Sequence, residues 1–300
     1  MPPSNLKHEK GQALLIVLLS LAVVLTVVLF VLSRSVTDIA VSSRFEEAVR
    51  AFSAAEAGVE QALIAAAPSG LVQIGNASYN VSVSEAAEGE KSFAYPLPLP
   101  VGDSIVIWFV AHDADGNLVC SAQKPCFTGD TVKLCWGNSG TEASSSITPA
   151  LEASFVYAAT PGSFSTLRVA RVVLDPNAGR IASANSFETP DPGTCSLDSN
   201  SYQFQKTISL SSLGIPSGSY SVEDGLQFVR LRILYNSDVS HGVGIDVDFP
   251  NDSALASQGK NISSAGAAGG SNRHLNVFQS WGEIPSVFSF PAFSGGSLVK

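Results

Sequence analysis

Charge is what this chain has least of. Only 14% of its 300 residues are Asp, Glu, Lys or Arg, against roughly a quarter in an ordinary soluble domain. Basic residues are the scarcer kind, 17 against 26 acidic ones, for a net charge of −9. Nucleic-acid binding is driven by clustered Lys and Arg that neutralise phosphates, so the charge argues against nucleic acid as a partner. Disordered polyelectrolytes need high charge and few aromatics, and 16 Phe with 6 Tyr and 3 Trp exclude that class as well. A long coiled coil is ruled out by 25 Gly and 16 Pro. What remains is a membrane-attached or exported protein with a sizeable core.

Gly, Pro and charge are all missing from one stretch. Gln12 to Ser33 reads QALLIVLLSLAVVLTVVLFVLS, 22 residues of which 16 are Leu, Val, Ile or Phe. At about −0.3 to −0.6 kcal/mol each, these favour insertion into lipid by roughly 5–10 kcal/mol. A helix of that length rises about 33 Å, enough to cross the hydrocarbon layer. Ser20 and Thr26 can bond back to carbonyls of their own helix and do not break it. Lys7 and Lys10 precede the span, whereas Arg34, Asp38, Arg44, Glu46 and Glu47 nearly cancel after it. The positive-inside rule therefore predicts a single-pass protein in the cytoplasmic membrane, with the amino end inside and the rest outside. A cleaved secretory signal is the competing reading, but the run is longer than an ordinary signal core and SRSVTDIAVSSRF offers no clean A-x-A site.

Gly and Pro stay absent through Ala57, so nothing ends a helix at the membrane surface. Val36, Ile39, Ala40, Val49, Phe52, Val59 and Leu63 recur at helical spacing and predict an apolar stripe. Ala51, Ala54, Ala55, Ala57, Ala62 and Ala65 to Ala67 add helix propensity. Pro68, Ser69 and Gly70 supply the stop. One helix of ~80 Å is expected over 12–67, membrane-spanning over 12–33 and continuing over 34–67.

KGQALLIVLLSLAVVL, with Lys10 and Gly11 before the apolar run, resembles the leader junction of type IV prepilins. AFSAAEAGVEQAL, from Ala51 to Leu63, resembles the end of the amino-terminal region of PilX-like minor pilins. Together they cover about residues 5–65. The resemblance implies a leader over 1–11, cut by a prepilin peptidase between Gly11 and Gln12. It also implies that the mature helix leaves the membrane and packs with other pilin-like subunits in a filament. Two positions depart from the pattern: shaft-forming pilins usually begin with Phe or Met and carry Glu fifth, where this chain has Gln12 and Ile16. That Glu is thought to neutralise a neighbour's amino terminus in an apolar filament core, where an unpaired charge is costly. Lacking it, the chain suits a minor, low-copy position such as a filament tip.

Beyond Pro68 the texture changes to short alternating runs between Gly, Pro, Asn, Asp and Ser. Strands are expected at Tyr79–Val83, Ser104–Ala111, Leu118–Cys120, Val132–Trp136, Ser154–Ala158, Thr166–Leu174, Phe204–Leu210, Gln227–Tyr235 and Val243–Phe249. SIVIWFVAHDADGNLVC reads as a hairpin turning at Asp115-Gly116-Asn117, and QFVRLRILYNSDVSHGVGIDVDF as a second with a longer loop. GKNISSAGAAGGSNR, from Gly259 to Arg273, reads as a flexible loop by composition. The fold class predicted is α+β: the long amino-terminal helix, then a mainly antiparallel, sandwich-like β domain over 68–300. That domain forms one lobe or two, divided near Gly137–Thr148.

Chemistry-bearing residues are few. Cys120, Cys126, Cys135 and Cys195 all fall on the predicted outside, where one or two disulfides are expected around Lys124-Pro125. Three connectivities are open, and free thiols or zinc are the alternatives. Asp113-Ala114-Asp115-Gly116-Asn117 faintly resembles a calcium loop, but Lys124 stands where an EF-hand needs Glu. Asp246, Asp248 and Asp252 could also gather a cation. Gly137-Asn138-Ser139-Gly140 lacks the rest of a serine-protease nucleophile motif, and nothing pairs His112, His241 or His274 with a Ser and a carboxylate. Asn76, Asn80, Asn251 and Asn261 fit N-x-S/T in a Ser-rich chain. Phe278, Trp281, Phe288, Phe290 and Phe293 crowd the last stretch, as terminal strands closing the core or as a sticky tip. No catalytic constellation and no cofactor site emerges. The expected role is therefore non-enzymatic: assembly, initiation or surface contact in a type IV pilus or a related secretion or DNA-uptake filament. An unassembled anchored binding module or adhesin is the alternative.

Overall fold

The computed structural model describes residues 12–65, 67–235, 238–247 and 254–283. Gly11, Asp248, Asn251, Asp252, Phe288, Phe290 and Phe293 lie outside the described residues. The chain divides into two compact units, residues 1–82 with 263–276 and residues 83–262 with 277–300.

The first unit is built on α1, Gln12–Ala65, a single uninterrupted helix of 54 residues. It stops just before Pro68, as the sequence requires. β1 (Ser69–Ile74) turns tightly into β2 (Ala77–Glu85), with Gly75 at φ +58° making the turn. Far along the chain, β14 (Gly259–Ala268) and β15 (Ser271–Ser280) complete a sheet of order β1-β2-β14-β15. The stretch read as a flexible loop is thus a hairpin. Burial alternates along β14, with Ser264 and Ala268 buried. Ser, Ala and Gly stand at these positions for their size, not for their flexibility.

The second unit is a sandwich. One sheet contains β3 (Ser92–Ala94), β7 (Thr131–Asn138), β10 (Cys195–Leu197), β11 (Asn200–Ser209) and β13 (Val243–Asp246), in the order β10-β11-β7-β13-β3. The other contains β4 (Ser104–Trp108), β8 (Ala150–Ala158), β9 (Leu167–Leu174) and β12 (Leu226–Leu234), in the order β4-β12-β8-β9. Their pairings are antiparallel. Leu134, Trp136, Phe204 and Ile245 from the first sheet meet Ile107, Phe155, Val229 and Leu231 from the second in one apolar cluster. The α+β, mainly antiparallel, sandwich-like reading therefore holds. Residues 137–148 lead from β7 to β8, and both strands contribute to that one cluster.

Two expected hairpins differ. β12 pairs with β4 and β8, while β13 pairs with β7 and β3, so the proposed second hairpin instead crosses from one sheet to the other. Both strands are apolar on their core sides, and alternation alone does not say which sheet a strand joins. The first hairpin is real but reduced to β5 (Ala111–His112) and β6 (Leu118–Val119). Phe109 and Val110 interrupt the strand because both their N–H groups turn to the Gln227 carbonyl.

Candidate functional site

The first half of α1 is the most unusual surface of the chain. Its described side chains from 13 to 46 are all exposed, among them Leu14, Ile16, Leu25 and Phe30. It holds an 18-residue window of mean hydropathy 3.3, so the helix is long and apolar enough to cross a membrane. Two of its hydroxyls are satisfied within the helix: Ser20 Oγ donates to the Val17 carbonyl at 2.9 Å and Thr26 Oγ1 to the Val23 carbonyl at 2.8 Å.

The second half is held by small residues. Ala51, Ala54, Ala55, Val59 and Ala62 are buried, whereas Phe52 and Leu63 are more than 40% exposed. Val36, Ile39 and Val49 are also exposed. The large apolar stripe expected from periodicity is therefore not the packed face; of its members only Val59 is buried there. Close approach explains why. A Cβ on Gly266 of β14 would stand 2.0 Å from the Ala51 carbonyl oxygen and 2.6 Å from the Ala55 nitrogen. A Cβ on Gly58 would stand 2.3 Å from Ser264 Oγ and 2.8 Å from Val81 Cγ2. Large side chains on this seam would push helix and strand apart. Polar ties finish it: Tyr79 donates its hydroxyl to Gln61 Oε1, and Glu47 accepts from the Gly270 N–H at 3.0 Å across the β14–β15 turn. The AAEAG stretch is thus a seam, and its Ala and Gly at steps of three and four were the signal for it. A recess of about 390 Å³ beside it is lined by Val49, Ser53, Ala57, Ile74 and Ala77.

The four cysteines resolve into two bonds, Cys120–Cys126 and Cys135–Cys195, with Cα atoms 5.4 Å and 5.8 Å apart. Only the first closes the loop around Lys124-Pro125. The second clips β10 to β7, two strands that flank β11 in their sheet.

The remaining candidates do not converge. Asp113 Oδ1 accepts the N–H groups of Asp115 and Asn117, both at 2.9 Å, which makes a plain turn. Those bonds, led by the one from the Asn117 backbone, hold its carboxyl below the usual range. Among the described residues no group of three His, Cys, Asp or Glu is placed to hold a metal ion. His241 comes to Asn138 rather than Ser139, its Nδ1 accepting the Asn138 N–H at 3.1 Å. Burial pushes its pKa down, with the Ile147 carbonyl opposing. No histidine nitrogen among the described residues bonds a hydroxyl, a thiol or a carboxylate. Asp246 faces Lys133 at 4.0 Å. Asn76, Asn80 and Asn261 are exposed.

One buried charge was not foreseen. Asp175 is fully buried and accepts from Arg180 Nη2 at 2.7 Å, Arg180 Nε at 2.9 Å, Asn185 Nδ2 at 2.7 Å and the Asn177 N–H at 2.8 Å. Burial alone would raise its pKa, yet these bonds hold it below the ordinary value. With both oxygens engaged it is a structural tie within residues 175–185, not a free acid or base. Phe278 packs near Phe93 and Tyr95, with ring centroids 5.9 Å and 5.8 Å apart, and so closes the core. Compared with known proteins, the chain matches no family model, no curated sequence and no solved structure.

Proposed function

We propose that the chain is a non-enzymatic, prepilin-like subunit of a type IV pilus or related filament, inserted with its amino end in the cytoplasm and its β-rich units outside. The observation that carries this is the continuity of α1. An ordinary anchor is free to end at the membrane and continue as a Gly- or Pro-containing linker. Here one helix passes from a bare, lipid-length half to a half locked on its own sheet by Gly58 and Gly266. Such a helix carries the fold with it when drawn out of lipid, which is what assembly through a helical core demands. The resemblance to prepilins implies the partners: membrane lipid before assembly, a prepilin peptidase at Gly11–Gln12, and the helices of other subunits afterwards. Ile16 leaves no carboxylate to neutralise a neighbour's amino terminus, which favours a low-copy position.

Mass spectrometry of the protein from its native membrane tests the reading. An amino terminus at Gln12 is expected. An intact Met1–Gly11 would remove the subunit reading and leave an anchored binding module in its place. Finding the chain as the bulk subunit of purified filaments would overturn the low-copy position alone.

A further inference from the structure

The sandwich has a second apolar layer, on the face of β4 and β12 that points away from the core. Ile105, Ile107, Val229 and Leu231 face inward, whereas Val106, Trp108 and Phe228 face outward and are nevertheless buried. Leu118 and Val156 pack against them, and so does Trp281 from the residues that follow β15. Trp281 packs on this cluster and donates its indole N–H to the Ser257 carbonyl at 3.0 Å. Glu283 accepts a backbone hydrogen bond from Val106 and lies within electrostatic reach of Arg230. These three residues cross the sheet face as a strap.

A buried histidine stacks on the strap. The His112 ring lies parallel to the Trp281 indole, centroids 4.6 Å apart at 10°, and meets Trp108 edge-on at 4.6 Å and 86°. It is 3% exposed, and its Nδ1 is buried with no hydrogen-bond partner among the described residues, as is Trp108 Nε1. A neutral imidazole tolerates that site as an aromatic ring. An imidazolium brings a second N–H with no acceptor and a charge with no water. Cation–π attraction to Trp281 offsets this only in part, because Lys260 Nζ already lies 5.5 Å from the centroid of the same indole.

We propose that Trp281–Glu283 is an acid-released strap over the outer face of β4 and β12, and that His112 is the group whose protonation opens it. The charges around the stack pull both ways. Burial, the dominant influence, lowers the His112 pKa to about 4; Asp113 opposes it and Lys124 adds to it. Lys124 is itself 4.0 Å from Glu88. Glu283 has the opposite sign: burial raises its pKa, with the Val106 bond and Arg230 opposing, so its protonation favours the closed strap. If opening returns His112 to its ordinary value, its contribution is present in full above pH 6.5 and is lost as pH falls toward 4. The open fraction then rises about 30-fold between pH 7.5 and pH 5 from His112 alone.

The full chain in lipid nanodiscs is followed by hydrogen exchange from pH 7.5 to pH 4, after correction for the intrinsic pH dependence of exchange. Acceleration confined to 277–283 is expected, with β7 unchanged and with increased binding of an apolar dye. His112→Gln should flatten the response, and Glu283→Gln should leave it intact or steepen it. The proposal is overturned if 277–283 does not accelerate by pH 4. It is equally overturned if His112→Gln keeps the wild-type midpoint or if Glu283→Gln abolishes the response. Should His112→Gln not fold, the wild-type His112 ring resonance and the Trp281 indole proton decide: they must titrate with one midpoint, and separate midpoints overturn the proposal.

Discussion

At the seam of the first unit, β14 comes so near α1 that even a methyl group on Gly266 would overlap the helix backbone. Across the sandwich of the second unit, the sheets are held apart by Trp136, Phe109 and Phe155, all fully buried. Two-sheet packing at roughly 10 Å needs large side chains to fill the gap. Helix against sheet at backbone contact needs the smallest ones. The difference extends to covalent ties: both disulfides fall in the second unit, and among the described residues the first unit has none. A seam of small residues gains little area per residue and depends on fit. A large apolar core clipped by disulfides depends on buried area and on a restricted unfolded chain.

The largest effect should come from the covalent side. Cys135–Cys195 closes a loop of 60 residues and Cys120–Cys126 one of 6. Loop-closure entropy gives about 4 kcal/mol for the first and about 2 kcal/mol for the second. Replacing each pair by Ser and measuring denaturant unfolding by tryptophan fluorescence, all three tryptophans lying in the second unit, should show that order. Equal losses would mean that strain or residual structure, not chain entropy, sets the contribution.

Next comes the seam. Gly266→Ala places its methyl against backbone atoms that cannot rotate away, so a loss of about 1–3 kcal/mol is expected. Gly58→Ala meets side-chain atoms, of which Ser264 Oγ can turn aside, and should cost less. Amide exchange in 263–268 is the readout, with β7 and β11 as reference. A rise of equal size in the reference strands would show that the two units open together, and the contrast between them would not survive in their stability.

How much of this was legible in the sequence follows the same division. Where large alternating residues make the structure, the reading was close: β7, β8, β9 and β12 were each found to within a few residues. Where small residues make it, helix propensity over Ala51 to Ala62 finds α1 but not the face it packs with, and the composition of 259–273 predicts a loop where Ser264, Gly266 and Ala268 stand on a strand, the other side of the same contact. Hydrophobic periodicity weighs a residue by the area it buries, and Gly and Ala bury little whatever their role. The pairing of β13 with β7 rather than β12 was hidden for a different reason: both partners offer an apolar face, and only the closed sandwich decides between them. The strap depends on residues brought together over a long separation, His112 with Trp281, which no local pattern carries; the Asp175 tie is local, to Asn177, Arg180 and Asn185, but its burial is set by the fold around it.

The smallest expected effect has the opposite sign and sharpens the contrast most. Ser264 is fully buried on the seam, and its hydroxyl has no hydrogen-bond partner among the described residues. An orphaned buried hydroxyl carries a desolvation penalty, whereas a methyl-sized side chain at the same place carries none. Ser264→Ala should therefore be neutral or stabilising by up to about 1 kcal/mol, read as slower exchange in 263–268. In the large-residue core the reverse holds: Phe155→Ala leaves a cavity and should be destabilising. If Ser264→Ala is destabilising instead, the hydroxyl is satisfied by a group such as a helix carbonyl, and the seam is held by polar bonds rather than by fit alone.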